Sequence, residues 1–461
     1  MSSNGKITLL IKDMTRTGAN SQPMKFDRNE TLIVIKKKIE DTFDLDPNKF
    51  DLFHTGRYLV KEKPLVDLDT NEALEIKTKI STTHIKKLRG ALHLPSELEF
   101  PAGVHLVKNM SQNIVKRLIF DEATQFLTSA TYDPETAGFR IPSRSSDNVG
   151  YDHQTKMVLL GRNQVERNFR HLTSVVSTTQ MSRLMSLIYE QLERGIHSTK
   201  RDVFYQDVNL FKDQRVSDGL IEDLGAMLGV TRNSLNVVAK AKGQIIGRIS
   251  FREAGDLIDC TKVGHGKSIT PMVDQISDIE SDAEFILVIE KDAAFLRLAE
   301  DRFYHMIPCI IITASGQPDL ATRMFIKLLR KELELPIFGL MDADPYGLDI
   351  LRVYTIGSKA MSFETAELSV SDIRWLGLLP SDLDNYQLPT SCRIPMDKTD
   401  QKRAEDMLKE DFVQARPRWV KEIKLMLKMK QKAEIQALAS KDPQFMTNQY
   451  LPQKINTGDW V

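Results

Sequence analysis

Three short apolar runs, residues 285–289, 309–312 and 337–341, constrain this chain more than any other feature. None is long enough for a buried helix, and each is rich in Val, Ile, Leu or Phe. Stretches with helical spacing separate them. Short, continuously apolar runs alternating with helices read as strands covered on both faces, and parallel neighbours need crossover helices. The C-terminal half is therefore expected to be an α/β unit with a parallel sheet. Glu290 directly follows the first run and Asp342 directly follows the third. In a parallel sheet both lie at the carboxyl edge, where ligand sites form in α/β folds.

Those acids suit one kind of chemistry. Asp344 stands two residues after Asp342, so on an extended segment both side chains point the same way. Glu290, Asp342 and Asp344 are hard oxygen donors of the type Mg2+ takes, with Mn2+ as a substitute. Such an ion neutralises charge on phosphate oxygens and lets a nucleophile approach an anionic phosphodiester. A plainer role also fits the pair, since Asp342 or Asp344 can cap the helix that comes next. Upstream, Ser198-Thr-Lys-Arg-Asp-Val-Phe-Tyr205 offers the nucleophile. A phenol is protonated at neutral pH and needs a cation or a base to attack. If Ser198 or Thr199 caps a helix, Arg201 lies one turn before Tyr205 on the same face and can stabilise a charged transition state. Asp202 can orient Arg201 or accept a proton. Taken alone, Tyr205 reads first as an amphipathic residue at a helix edge.

The 461 residues suggest about three domains, with 41% hydrophobic and 27% charged residues. No apolar run approaches a membrane span, and the first residues lack the apolar core of a signal peptide. Three cysteines without a Cys-x-x-Cys pair argue against a disulfide scaffold or zinc ribbon and for a reducing compartment. Net charge is zero, yet residues 231–270 hold seven Arg/Lys against three Asp/Glu. That excess can face phosphates or be a solvated face. The segment Gly264-His-Gly-Lys-Ser268 lacks the earlier glycine of a phosphate-binding loop, because Thr261 stands there, so no nucleotide site is expected.

Residues 1–80 read β-β-α-β-β, with a helix over residues 31–44 carrying Leu32, Ile35, Ile39 and Phe43, capped by Asn29 or Thr31. Turns are expected at Gly18-Ala-Asn-Ser-Gln and at Thr55-Gly. This pattern resembles ubiquitin, a β-grasp fold. Leu88-Arg-Gly-Ala lacks the terminal double glycine, so a docking module is expected rather than a conjugated one, with Leu52 and Phe53 on its partner face. Residues 81–166 are expected to be a linker with one poorly defined helical segment. Serine, aspartate, proline and glycine make residues 128–155 look like a mobile insertion. Helical spacing at Leu220, Leu224, Met227 and Leu228 ends at Gly229, and a second helix can start at Thr231. With a following wing strand at residues 245–252 this is a helix-turn-helix pattern, although a bundle corner explains the spacing equally well.

From about residue 168 onward the chain resembles the topoisomerase VI A-subunit family, most closely its eukaryotic branch, the transesterases that initiate meiotic recombination. The resemblance rests on Thr199-Lys-Arg-Asp-Val-Phe-Tyr205, Val288-Ile-Glu-Lys-Asp-Ala, Pro318-Asp-Leu-Ala-Thr-Arg323, Asp342-Ala-Asp-Pro-Tyr-Gly, Met361-Ser-Phe, Ile373-Arg-Trp-Leu-Gly-Leu-Leu-Pro-Ser-Asp382 and Lys432-Ala-Glu-Ile-Gln-Ala-Leu438. With the ubiquitin-like domain at 1–80, which lies outside the usual family pattern, a multidomain α+β and α/β protein is expected; the resemblance implies a winged-helix, CAP-like domain at 167–280 carrying the tyrosine and a Toprim metal-binding domain with a helical extension at 281–461. It further implies a homodimer on double-stranded DNA. Tyr205 of one copy would meet Glu290, Asp342, Asp344 and Mg2+ of the other, giving a 5′-phosphotyrosyl link at a double-strand break. A topoisomerase VI B-like subunit contacting residues 168–194, a nuclear location on meiotic chromosomes and no membrane association complete the expectation. Phe204 stands where many relatives have a second tyrosine, and Thr313-Ala-Ser-Gly316 stands where Thr-Gly-Lys-Gly is common. A DNA-binding scaffold without catalysis and a Toprim nuclease are the alternatives.

Overall fold

The structure is a computed structural model that describes residues 6–13, 21–27, 30–43, 45, 50–54, 57–59, 74–78, 80–92, 100–239 and 241–461. The expected turn residues Gly18, Ala19, Asn20, Thr55 and Gly56, and the candidate cap Asn29, lie outside them, as does the side chain of Phe53.

The N-terminal unit has strands β1 (Lys6–Asp13), β2 (Gln22–Asp27), β3 (Phe50–His54), β4 (Arg57–Tyr58) and β5 (Leu74–Thr78), with helix α1 (Leu32–Phe43). The sheet order is β2-β1-β5-β3-β4 with β1 and β5 parallel, which is a β-grasp arrangement. Leu32, Ile35 and Ile39, spaced to share one helix face, close onto Leu9, Ile11, Phe26, Phe50 and Leu52 as a separate core. Leu52, expected on a partner face, is instead 3% exposed within that core. The Leu88-Arg-Gly segment belongs to helix α2 (Thr83–Gly90), which seats Ile85 in the C-terminal core and packs on the helix Leu451–Thr457.

Residues 81–166 differ from the expected linker. They hold β6 (Val104–His105), α3 (Gln112–Tyr132), β7 (Gly138–Pro142), β8 (Val149–Asp152) and β9 (Met157–Gly161), and β10 (Gln164–Asn168) comes next. β7 pairs with β10, and β9 lies between β6 and β8. The polar residues that suggested mobility make the turns of these hairpins. Asn148, 7% exposed, donates its carboxamide N–H to the carbonyls of Ser143, Gly161 and Asn163.

The central helical unit contains α4 (Val175–Glu193), β11 (Ser198–Thr199), α5 (Lys200–Gln206), α6 (Val208–Phe211), α7 (Gln214–Leu228) and β12 (Val237–Val238). Gly229 ends α7 in the left-handed conformation, φ 68°, as expected of a helix-terminal glycine. The second helix of a helix-turn-helix does not form. A three-residue 3-10 turn, Asn233–Leu235, leads to left-handed Asn236, and the β-branched pair Val237-Val238 then joins β11 in parallel. The expected wing is replaced too. β13 (Gln244–Gly247) pairs antiparallel with a strand of the C-terminal sheet, and Ile245 and Ile246 are both fully buried. Two consecutive buried residues need cover on both faces, which a central sheet provides and a wing does not. The C-terminal sheet therefore also takes in β13, which lies ahead of the 281–461 range expected for the Toprim domain.

The C-terminal unit is built on β13, β14 (Ser250–Glu253), β15 (Asp256–Asp259), β16 (Lys267–Ser268), β17 (Ile276–Glu280), β18 (Phe285–Ile289), β19 (Cys309–Thr313), β20 (Ile337–Leu340) and β21 (Arg374–Gly377). Helices α8 (Asp292–Glu300), α9 (Phe303–Met306), α10 (Leu320–Leu333) and α11 (Pro345–Ile356) connect its later strands. The main sheet runs β16-β13-β19-β18-β20-β21, with β18 parallel to both β19 and β20. Every residue of β18 and β19 is buried, as their uninterrupted apolar sequence requires. Among the described residues no helix is long and apolar enough to cross a membrane.

Candidate active site

The side chains that the sequence singles out fall into two groups. The first is on α5. Thr199 caps this helix: its hydroxyl accepts the N–H of Asp202, and Asp202 Oδ2 accepts from Thr199 N at 2.8 Å and Oγ1 at 2.7 Å. That reciprocal capping box places Arg201 and Tyr205 one turn apart on an open face. Arg201 Nη2 donates to Tyr205 Oη at 3.3 Å, and its guanidinium lies 5.5 Å from the ring centroid. Tyr205 is 59% exposed. Phe204 packs against the helical core, whereas the neighbouring Tyr205 ring stands in solvent. The Thr199 N–H and hydroxyl hold the Asp202 carboxyl below the usual carboxylate range, so its geometry here is that of a helix cap. Lys200 ties α5 to α7 through Glu222 at 2.7 Å.

The second group is at the carboxyl edge of the sheet. Glu290 leaves β18, and Asp342 and Asp344 come after β20. Glu290 Oε2 accepts the N–H of Asp342 at 2.9 Å, which locks the two strand ends together. Asp344 is the N-cap of α11 and accepts from Gly347 N at 2.7 Å, so capping and site membership coincide in one residue. A Cβ on Gly347 would lie 2.6 Å from the Asp342 carbonyl oxygen and 2.9 Å from Glu290 Oε2. Only glycine lets the helix start this close to the carboxylates. Burial, then the charge of Asp342, pushes the Glu290 carboxyl up to about 7. Burial also raises the carboxyls of Asp342 and Asp344.

Two lysines reach these acids, and sequence reasoning does not single them out. Lys291 Nζ lies 2.8 Å from Asp342 Oδ2 and 3.0 Å from Glu434 Oε2. The other oxygen of Asp342 accepts the N–H of Ile435 at 2.8 Å. Lys432 pairs with Asp400 at 2.7 Å beside Asp344. The signals are Lys291 adjoining Glu290 and the Lys432-Ala-Glu-Ile motif, but nothing local joins residues so far apart. Among the described residues no three acidic, His or Cys side chains form a ready ligand cluster. The donor chemistry still fits a divalent ion. Glu290 and Asp342 are buried and Asp344 half-buried; all three are hard oxygen ligands, and burial is the main cause that raises each carboxyl.

Three other features bear on the site. Gly316 N donates to the Glu290 carbonyl at 2.8 Å, and Ser315 Oγ to Asp292 at 2.6 Å, so Ala314-Ser315 closes a loop beneath the acids. Among the described basic residues of 231–270, Lys242 is exposed and most of the others have acidic partners. Arg248 pairs with Asp282, Arg252 with Asp278, Lys262 with Asp259 and Lys267 with Glu253, while Arg232 is largely buried near Glu364. Finally, an open apolar pocket of about 330 Å3 lies between α3 and α4, lined by Ile119, Phe120, Phe126, Leu127, Met185 and Tyr189. Among the described residues no hydrogen bond or ion pair joins α5 to the acid site.

Known proteins place these features in a family. A profile for the Toprim domain of the topoisomerase 6 A-subunit/Spo11 group matches residues 285–455, and one for type IIB DNA topoisomerase matches residues 177–237. The DNA topoisomerase 6 A subunit of Arabidopsis thaliana is 52% identical over 70% of this chain and 76% of its own length. The meiotic recombination protein SPO11 of Homo sapiens is 35% identical over 81% of this chain and 91% of its own. SPO11-1 of Arabidopsis thaliana is 38% identical over 59% of this chain and 76% of its own.

Proposed function

This chain belongs to the topoisomerase 6 A-subunit/Spo11 family, and from that premise we propose that it breaks double-stranded DNA by transesterification onto Tyr205. The enzyme class, a type IIB topoisomerase-like DNA-cleaving protein, comes with membership; the residues and their roles are the proposal. Tyr205 Oη forms a bond to phosphorus as the bond from phosphorus to O3′ breaks. The products are a 5′-phosphotyrosyl end and a 3′-hydroxyl. Arg201 is already hydrogen-bonded to the attacking oxygen and stabilises its negative charge and that of the phosphoryl group. Asp202 positions both by capping their helix. Glu290, Asp342 and Asp344 would hold Mg2+, which when bound supplies positive charge to the scissile phosphate. Glu290 also fixes the Asp342 backbone, and Gly347 leaves the room.

The observation that carries this reading is the separation of an exposed, arginine-bonded tyrosine from a buried acid site with no bond between them. It supports a homodimer in which the tyrosine of one copy serves the acids of the other. The open apolar pocket between α3 and α4 supports a B-like subunit docking near residues 168–194. Detergent-denatured reaction mixtures test the chemistry: protein should stay attached to 5′ ends in Mg2+ and not to 3′ ends. Free ends without attached protein would indicate a nuclease using water.

The fate of the break distinguishes two uses. Initiating meiotic recombination in the nucleus, as the sequence suggests, leaves the break open. A strand-passage cycle reseals it. The higher identity to the Arabidopsis topoisomerase 6 A subunit, 52% against 38% for SPO11-1, favours the second. Relaxation of supercoiled DNA by this chain, combined with ATP and a B-like subunit, decides between them.

A further inference from the structure

Lys291 sits between two carboxylates of unlike surroundings. Asp342 is nearly buried, with 4% of its side chain exposed, whereas Glu434 is 50% exposed. The ammonium reaches both, at 2.8 and 3.0 Å. Glu434 directly precedes Ile435, whose N–H holds the other oxygen of Asp342, and Ala433 and Ala343 exchange backbone hydrogen bonds beside them. The receiving carboxylate is therefore built into the same rigid ladder as the acid site. Resting on the reading of those acids as a divalent-cation site, we propose that Lys291 is a built-in counter-cation, which pairs with Asp342 in the ion-free protein and passes to Glu434 alone when the site is loaded.

The reasoning is electrostatic. Glu290 and Asp342 are nearly buried beside Asp344, and unpaired buried charge is strongly destabilising. Lys291 supplies one positive charge in the ion-free state. It cannot remain on Asp342 Oδ2 beside a divalent cation, because like charges at contact distance repel. Its flexible stem needs only a small rotation to keep Glu434, since the ammonium already touches it. The exchange lets the acid site stay assembled between loading events and directs the displaced ammonium outward, toward the half-exposed Glu434.

Mn2+ binding by the full-length chain without DNA, followed by electron paramagnetic resonance, tests this. Lys291→Met should bind Mn2+ about tenfold tighter than wild type, since no ammonium competes for Asp342. Its ion-free melting temperature should fall, and Mn2+ should restore it. Glu434→Gln should have the opposite sign, weakening Mn2+ binding about threefold, and that loss should vanish when Lys291 is also replaced. Lys291→Gln keeps hydrogen bonding without charge and gives the same reading should Lys291→Met not fold. Unchanged or weaker Mn2+ binding in both Lys291 variants would make the lysine a fixed strut and overturn the exchange while leaving the metal site standing. Failure of wild type to bind Mn2+ at all would overturn both.

Discussion

The helix that presents Tyr205 and the sheet edge that presents the acids are opposites in construction. The helix is seven residues long, starts at a capping box, seats Val203 in the helical core, pairs with α7 through Lys200, and leaves Tyr205 largely exposed. The acids sit at the ends of fully buried strands, laced together by backbone hydrogen bonds, and their protonation is raised by burial. A nucleophile that must meet a phosphate delivered by a large polyanion gains from exposure. A site that concentrates negative charge gains from rigid enclosure, where electrostatic interactions are strong. One chain holds both parts without bringing them into contact, which is the arrangement a two-copy enzyme needs.

Four changes sharpen this contrast, in decreasing order of effect. Tyr205→Phe should reduce 5′ adducts by at least about a thousandfold while leaving thermal stability unchanged, because the hydroxyl is in solvent and its loss removes only the nucleophile. A variant that still forms adducts would move the nucleophile elsewhere. Gly347→Ala strikes the enclosed half: its methyl group collides with the Asp342 carbonyl and Glu290. A stability loss of about 1–3 kcal/mol should accompany weakened Mn2+ binding. Thermal melts and Mn2+ titrations of the same sample show whether both occur; wild-type behaviour would mean that the edge is less rigid than described. Thr199→Ala strikes the exposed half more gently. Loss of the cap should cost about 1 kcal/mol and lower cleavage without touching Mn2+ affinity. Equal losses in both halves would show that they are coupled within one chain.

The smallest catalytic effect belongs to deletion of residues 1–80. Their core is separate, although Ile80 packs against the C-terminal core just ahead of α2. β4 lies beside α9, so a modest loss of stability is expected while Mn2+ binding is retained. The readouts are soluble yield and Mn2+ affinity. Aggregation of the shortened chain would make this unit a structural part of the enzyme.

The enclosed half is legible in the sequence because two-sided burial leaves short unbroken apolar runs, and because acids directly after such runs have only one edge to occupy. The same logic fails at residues 245–252, where the fully apolar Ile245-Ile246 pair is assigned to a wing although it demands two covered faces. Residues 128–155 mislead for another reason. Turn-forming residues look alike whether a loop is mobile or, as around Asn148, stitched by buried hydrogen bonds. Leu52 shows that alternation along a strand fixes which residues share a face but not which face is covered. Lys291 and Glu434 cannot be paired from sequence, because their contact depends on how the segment after residue 430 folds back over the sheet edge.

The two-copy site is tested most directly by mixed dimers. A chain carrying Tyr205→Phe is combined with one carrying Asp344→Asn, and heterodimers are isolated by differential tags. If each tyrosine works with the partner's acids, one of the two sites is intact and the other doubly damaged. Heterodimers should then nick one strand of duplex DNA, leaving one 5′-linked protein, while either homodimer alone is inactive. Isolated heterodimers that cut neither strand would contradict the account and place each tyrosine with the acids of its own chain.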